Sequence, residues 1–213
     1  MTRLILASQS PRRRALIGLL GYPFQAISAD VDESLVTDPD PAVNVVGTAR
    51  LKAAAMADRL RGDTAVNNSI IVAADTVVAL DGVMLGKPVD AADARRMLLA
   101  LRGRSHDVHT GTVLLDLATG QEVSGVNSSV VTMRHYSGAE MDAYIATGDP
   151  LDKAGAYAIQ ARDFSPVALL DGCFTGVMGL SICHLLMLVS QLGVPMRADL
   201  TAVATAHQHY DAG

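Results

Sequence analysis

The sequence predicts a mixed α/β fold, a twisted sheet with flanking helices, and three stretches carry that prediction. Leu4-Ile5-Leu6-Ala7 is a short apolar run of the kind buried inside a parallel sheet, and Ser10-Pro11 after it reads as an N-cap followed by a first-turn proline, so a strand feeds a helix through a tight polar loop. Ser69 to Leu80, S-I-I-V-A-A-D-T-V-V-A-L, is nearly all β-branched or small, the pattern of a strand buried on both faces. His106 to Arg134 holds two long β-type runs joined at Ala118-Thr119-Gly120, an antiparallel hairpin of the same sheet.

With 213 residues, half of them apolar and 18% charged, the chain can bury a real core in one large or two small domains. A net charge of −5 argues against general nucleic-acid or acidic-membrane binding, so any basic patch is a focused site for a small anion. Cys173 and Cys183 lie outside any C-x-x-C, and no secretory segment precedes them, so free thiols in a reducing cytoplasm are expected. The longest apolar helical run, Ile182 to Leu192, is far shorter than the roughly 20 residues that span a bilayer, and no membrane anchor is expected.

In the first helix Leu16, Leu19 and Leu20 recur at helical spacing and Gly21 stands at the left-handed C-cap, for about three turns. Arg12-Arg13-Arg14 occupies its first turn, where each cation costs about 0.3–1 kcal/mol against the helix dipole. Either this is a solvated basic turn, or the arginines, the free backbone N–H groups and the hydroxyls of Ser8 and Ser10 form a site for a multiply charged anion. Phe24 to Ser28 is a short second strand running into an acidic turn with Asp30, Asp32 and Glu33, which is either solvated or a Mg²⁺-holding cluster. Asp40 and Pro41 then start a helix to about Leu60; Lys52, within A-R-L-K-A-A-A, either snorkels to the surface or meets a phosphate.

Asp75 interrupts the apolar run from Ser69 to Leu80. A buried carboxylate without a partner costs several kcal/mol, so Asp75 is satisfied by structural hydrogen bonds or sits where a cation or substrate reaches it. Asp81-Gly82 is a tight hairpin turn that brings V-M-L-G-K-P back, with Lys87 near Asp75. Asp90 caps a helix whose Ala94, Met97, Leu98 and Leu101 share a face and which Gly103 ends. His106 and His109 point to opposite faces of their strand, which argues against a shared metal.

Ser137-Gly138-Ala139-Glu140 is a capping box opening a helix that ends at Gly148. D-P-L-D-K-A-G-A-Y-A-I-Q then reads as a polar loop leading into a short strand, Tyr157 to Gln160, suited to reading a ligand's edge. Val167 to Leu170 and Cys173 to Met178 read as a strand pair around Asp171-Gly172, and Ser181 caps a helix ending near Leu192. The expected division is an α/β domain over 1–195 and a tail over 196–213 without a sustained pattern.

Six stretches together carry a resemblance: S-Q-S-P-R-R at Ser8 to Arg13, Glu33 after the second strand, A-R-L-K-A at Ala49 to Ala53, A-D-T-V-V at Ala74 to Val78, L-G-K-P at Leu85 to Pro88, and D-P-L-D-K-A-G-A-Y-A-I-Q at Asp149 to Gln160. In this order they resemble the Maf family of nucleoside triphosphate pyrophosphatases. That resemblance implies two lobes around a central nucleotide cleft, a fold similar to inosine triphosphate pyrophosphatases, and house-cleaning hydrolysis of a triphosphate to the monophosphate and pyrophosphate.

It further implies that Asp75 is the general base, that Glu33 and Asp75 hold a divalent cation, Mg²⁺ or Mn²⁺, and that Ser8, Ser10, Arg13, Lys52 and Lys87 cradle the phosphates. Arg12, Thr76 and Gln160 match the branch acting on dTTP and UTP, and a glutamine amide offers the donor and acceptor that complement O4 and N3–H of uracil or thymine. The chain departs from the family at Ala161, where I-Q-G is usual, and at Ser181, where G-L-P-L is usual. Other readings are a pyrophosphatase for a modified or methylated purine triphosphate, or a non-catalytic nucleotide-sensing module in cell-division control. The partner expected is the nucleotide, with neither nucleic acid nor membrane; the sequence is also compatible with a homodimer.

Overall fold

The structure is a computed structural model that describes residues 2–195 and 197–208. The chain opens with β1 (Arg3–Ala7), α1 (Pro11–Gly18), β2 (Phe24–Ile27), α2 (Pro41–Leu60) and β3 (Ser69–Leu80). β1 pairs in parallel with β2 on one side and with β3 on the other. The two crossovers therefore run in opposite directions along the sheet, and right-handed connections put their helices on opposite faces. On one face Leu16 and Ile17 of α1 pack with Leu4, Leu6, Ile70 and Val72. On the other, Ala49, Ala53 and Met56 of α2 pack with Ile5, Ala7, Ile71 and Ala73.

There follow β4 (Val83–Leu85), α3 (Ala91–Leu101), β5 (Ser105–Asp116), β6 (Glu122–Met133), α4 (Gly138–Ala146), β7 (Val167–Asp171), α5 (Phe174–Val177), α6 (Ile182–Gln191) and α7 (Leu200–Gln208). The seven strands form one mixed sheet in the order β2-β1-β3-β5-β6-β7, with β4 paired to β3 beside that path. α3 and α4 bury Met97, Leu98, Leu101 and Met141 against Val78, Leu80, Val131 and Met133, at the far end of β3 from the α1 and α2 clusters.

β3 gives one edge to β5 along nearly its whole length. Its other edge is shared: β1 pairs with it as far as Val72, and β4 pairs from Val78 onward. Over 73–77 no strand among the described residues lies on that side, which leaves a notch at the carboxyl ends of the parallel strands, where open α/β sheets hold ligands. Asp75 and Thr76 stand in this notch on opposite faces, since side chains alternate along a strand.

Two expected strands are absent. Tyr157 to Gln160 follows two 3₁₀ turns, Asp149–Asp152 and Ala154–Ala156, and does not join the sheet. Side chains hold it instead: the Ala158 N–H donates to the Tyr144 hydroxyl at 3.1 Å, and the Tyr157 hydroxyl lies 2.7 Å from His106 Nε2. Gly155 at φ +68° bends the chain here, in a place where a Cβ would stand 3.0 Å from Val78. Cys173 to Met178 is not the second half of a strand pair either. β7 pairs antiparallel with β6, and Cys173 caps the short α5, its Sγ accepting the Gly176 N–H at 3.3 Å.

Beyond residue 195 the expected lack of pattern gives way to α7, capped by Asp199, whose Oδ1 accepts the N–H groups of Thr201 at 2.9 Å and Ala202 at 3.3 Å. Val203 is buried in the same cluster as α1 and α6. Residues 196 and 209–213 of the expected tail lie outside the described residues. No helix among the described residues is long and apolar enough to cross a membrane.

Two expectations about stability follow from this packing. At Gly111 of β5 a Cβ would stand 2.5 Å from the Val45 carbonyl group of α2. Backbone cannot yield as a side-chain tip can, so Gly111→Ala should cost about 1–3 kcal/mol, read as a lowered denaturation midpoint. His106 is 3% exposed, and burial pushes its pKa down from 6.5 to about 4. The unfolded chain then takes up a proton that the folded chain refuses. Stability is therefore full above pH 6.5 and falls toward pH 4, by on the order of 3 kcal/mol. Urea melts at pH 7 and pH 5 should show about 2 kcal/mol of this loss in the wild type and less in His106→Asn.

Candidate active site

The notch opens into a cleft of about 880 Å³, and Ser8, Ser10, Arg12, Arg13, Glu33, Lys52, Asp75, Thr76, Lys87 and Gln160 all line it. The ten side chains that the family resemblance assigns to the site therefore line one cleft, whereas Asp32 of the acidic turn does not. Four elements deliver them: the loop and first turn of α1, the turn after β2, the middle of α2 and the notch of β3, with Lys87 and Gln160 arriving on the loops after β4 and after the 3₁₀ turns.

The entry to α1 is built from backbone hydrogen bonds. Ser8 Oγ accepts the Ser10 N–H at 3.2 Å, and Ser10 Oγ caps the helix by accepting the Arg13 N–H at 3.4 Å, so each hydroxyl still has its proton to donate. Arg12 and Arg13 face the cleft, whereas Arg14 is exposed and outside its lining. Arg13 is drawn inward: its Nε donates to the Gly179 carbonyl at 2.8 Å and its Nη2 to Thr76 Oγ1 at 3.3 Å. Burial lowers the pKa of Arg13 and Arg12 adds to that, while the charges of Asp75 and Glu33 pull it back up.

Lys52 is only 7% exposed, so it does not snorkel to the surface. Its ammonium lies between two carboxylates, 2.7 Å from Asp75 Oδ1 and 2.8 Å from Glu33 Oε1. Burial raises the pKa of Glu33, but the hydrogen bond and charge of Lys52, with Lys87 and Arg13 beyond, outweigh it and hold Glu33 below the usual carboxylate value. Asp75 Oδ2 has no hydrogen bond among the described residues. The side chains of Arg12, Lys87 and Gln160 likewise line the cleft without a hydrogen-bond partner among the described residues.

Lys153 also lines the cleft, a residue the sequence shows only as part of a longer motif. It is 7% exposed, and its ammonium donates to the Asp149 carbonyl at 2.5 Å, to Asp149 Oδ1 at 2.8 Å and to Asp152 Oδ1 at 2.6 Å. Asp149 Oδ2 accepts the Tyr144 hydroxyl at 2.7 Å, so the loop leading to Gln160 is tied to α4. The readable signal was two aspartates one and four residues before a lysine. At the two family departures, Ser181 caps α6 by accepting the His184 N–H at 3.3 Å, and Ala161 packs against the cluster under α3 and α4. Among the described residues no three His, Cys, Asp or Glu side chains gather as a metal cage.

Known proteins resemble this chain over most of its length. The family described as Maf-like protein matches residues 3–192. A protein of Moorella thermoacetica named dTTP/UTP pyrophosphatase is 41% identical over 194 residues, covering 91% of this chain and 97% of its own length. A protein of the same name from Anaeromyxobacter dehalogenans strain 2CP-C is 42% identical over 196 residues, covering 91% and 96%. Among solved structures, the nucleoside-triphosphatase / dITP/XTP pyrophosphatase of Mycobacterium abscessus covers 62% of this chain and 74% of its own, with 17% identity and a TM-score of 0.38, a likeness too slight to carry an argument. The motifs that converge on the notch of β3 thus lie within a family match that spans nearly the whole described fold, and the chain belongs to the Maf-like protein family.

Proposed function

We propose that this chain hydrolyses dTTP and UTP to the monophosphate and pyrophosphate. The observation that carries the proposal is Asp75, a carboxylate set in the notch of a buried strand with one oxygen held by Lys52 and the other unbonded among the described residues. Its side chain is 17% exposed where it lines the cleft, so the unbonded oxygen is open to a ligand there. Asp75 Oδ2 takes the proton of the attacking water, whose oxygen bonds to phosphorus as the bridge between the α and β phosphates breaks. Phosphoryl chemistry rests on positioning and charge neutralisation, and here Arg13, Lys52, Lys87, the two serine hydroxyls and the start of α1 supply it.

Glu33 and Asp75 are the carboxylates that would hold a divalent cation. Mg²⁺ favours one or two carboxylates plus substrate phosphates over an all-protein cage, and this donor set fits that habit. Such an ion, when bound, supplies charge stabilisation at the phosphate oxygens. Gln160, with Arg12 and Thr76, stands toward the base: its amide can accept N3–H and donate to O4 of uracil or thymine. The names of the relatives at 41% and 42% identity support the same substrates.

Asp75→Asn keeps volume and removes the proton acceptor, so pyrophosphate release should fall at least about 100-fold while the thermal midpoint shows a folded protein. Near-normal turnover in that variant would overturn the assignment. Gln160→Glu keeps the acceptors and loses the donor to O4, so kcat/KM for UTP should fall more than for CTP, whose amino group can donate to the carboxylate. Each buried group left unpaired costs about 1–3 kcal/mol, enough to move the UTP-to-CTP ratio visibly. An unmoved ratio would remove Gln160 from the base.

A further inference from the structure

Thr110 of β5 lies behind Thr76, 1% exposed and outside the cleft lining. Its hydroxyl donates to the Gly176 carbonyl at 2.8 Å. A threonine has one proton to give, so the 2.8 Å contact between the Thr110 and Thr76 oxygens has a single sense: Thr76 donates and Thr110 accepts. With its proton spent, Thr76 Oγ1 turns a lone pair outward, and Arg13 Nη2 donates to it at 3.3 Å while Arg13 Nε is held by the Gly179 carbonyl at 2.8 Å. The chain of bonds runs from the cation in the cleft to a buried carbonyl, each step fixed by the next.

We propose that Thr110 is a positioning residue, acting through Thr76 to aim the Arg13 guanidinium at the triphosphate. Thr76 therefore shapes the cleft beside the base but has no proton to offer it. The proposal rests on the reading of the cleft as a triphosphate site. It also explains why a hydroxyl is kept in the packed interior of β5, where a buried hydroxyl costs free energy unless it is bonded.

The test compares Thr110→Val, which has the same shape without the hydroxyl, with Thr110→Ser, which keeps the hydroxyl, each also placed in an Arg13→Ala background. kcat/KM is measured for UTP, dTTP and CTP, with the thermal midpoint alongside. Thr110→Val should lower kcat/KM about three- to tenfold for all three nucleotides alike, the scale of a weakened hydrogen bond to a charged group. Thr110→Ser should return it to within about twofold. In the Arg13→Ala background Thr110→Val should cost nothing more, because groups acting through one another are not additive.

An independent loss added to that of Arg13→Ala would overturn the proposal, as would a change confined to the UTP-to-CTP ratio. If Thr110→Val does not fold, Thr76→Val breaks the same chain one step earlier and is judged by the same additivity. Wild-type protein that cleaves no triphosphate would instead overturn the reading of the site. Impaired Arg13→Ala beside unimpaired Thr110→Val and Thr76→Val would leave that reading standing and overturn the relay alone.

Discussion

The ammonium of Lys52, buried between the carboxylates of Asp75 and Glu33, is the interaction on which the rest of the site depends. A lysine this far from water is tolerated only when its charge is answered at hydrogen-bond distance, and removing one partner of a buried pair leaves a charge that costs several kcal/mol. The requirement reaches outward from there. α2 must lie close enough on the sheet for Lys52 to touch β3, and Gly111 lets it do so by allowing the Val45 backbone against β5. The turn after β2 must fold back over α2 to bring Glu33, and Asp32 helps by accepting the Ser34 N–H at 3.0 Å to start its 3₁₀ turn. Stability and chemistry are thus joined in one group of three side chains.

The notch explains why that group sits at the surface of a cleft rather than inside a core. β3 is long enough to serve two pairings on one edge, the parallel one with β1 and the antiparallel one with β4, and it has a stretch left over between them. The side-chain alternation of a strand sends Asp75 toward α2 and Thr76 toward α1. One strand thereby supplies both faces of the cleft: on one a carboxylate paired with Lys52, on the other a hydroxyl that supports Arg13.

The framework was legible in the sequence where local signals and burial agree. The run Ser69 to Leu80 appears as a strand with those bounds, and Asp40 with Pro41 opens α2, because cap chemistry and apolar periodicity point the same way there. Asp75 was legible because a carboxylate inside an apolar run is costly and so stands out, whereas the other candidate side chains were marked by the family resemblance that the six motifs carry. What was not legible depends on partners distant in sequence. Tyr157 to Gln160 has strand-like composition, but Tyr144 and His106 take its hydrogen bonds, and no local pattern announces that. Cys173 to Met178 lost its strand to a thiol cap on a helix of a single turn. α7 carried its signal in Asp199 alone, on too short a segment for periodicity to emerge. Lys153 was legible as part of a polar loop motif, but not its burial or the three acceptors that hold its ammonium.

An unpaired strand edge is ordinarily a hazard, since its free N–H and C=O groups invite the edge of another molecule and lead toward aggregation. Here the open stretch of β3 is only 73–77, walled at one end by β1 and at the other by β4. At about 3.3 Å per residue it is roughly 17 Å long, and an incoming strand would have to bend into the recess between two existing ones to reach it. Ala73 and Ala74 within it are wholly buried, so what the cleft offers a small solute is confined to the part around Asp75 and Thr76, and another polypeptide is denied it.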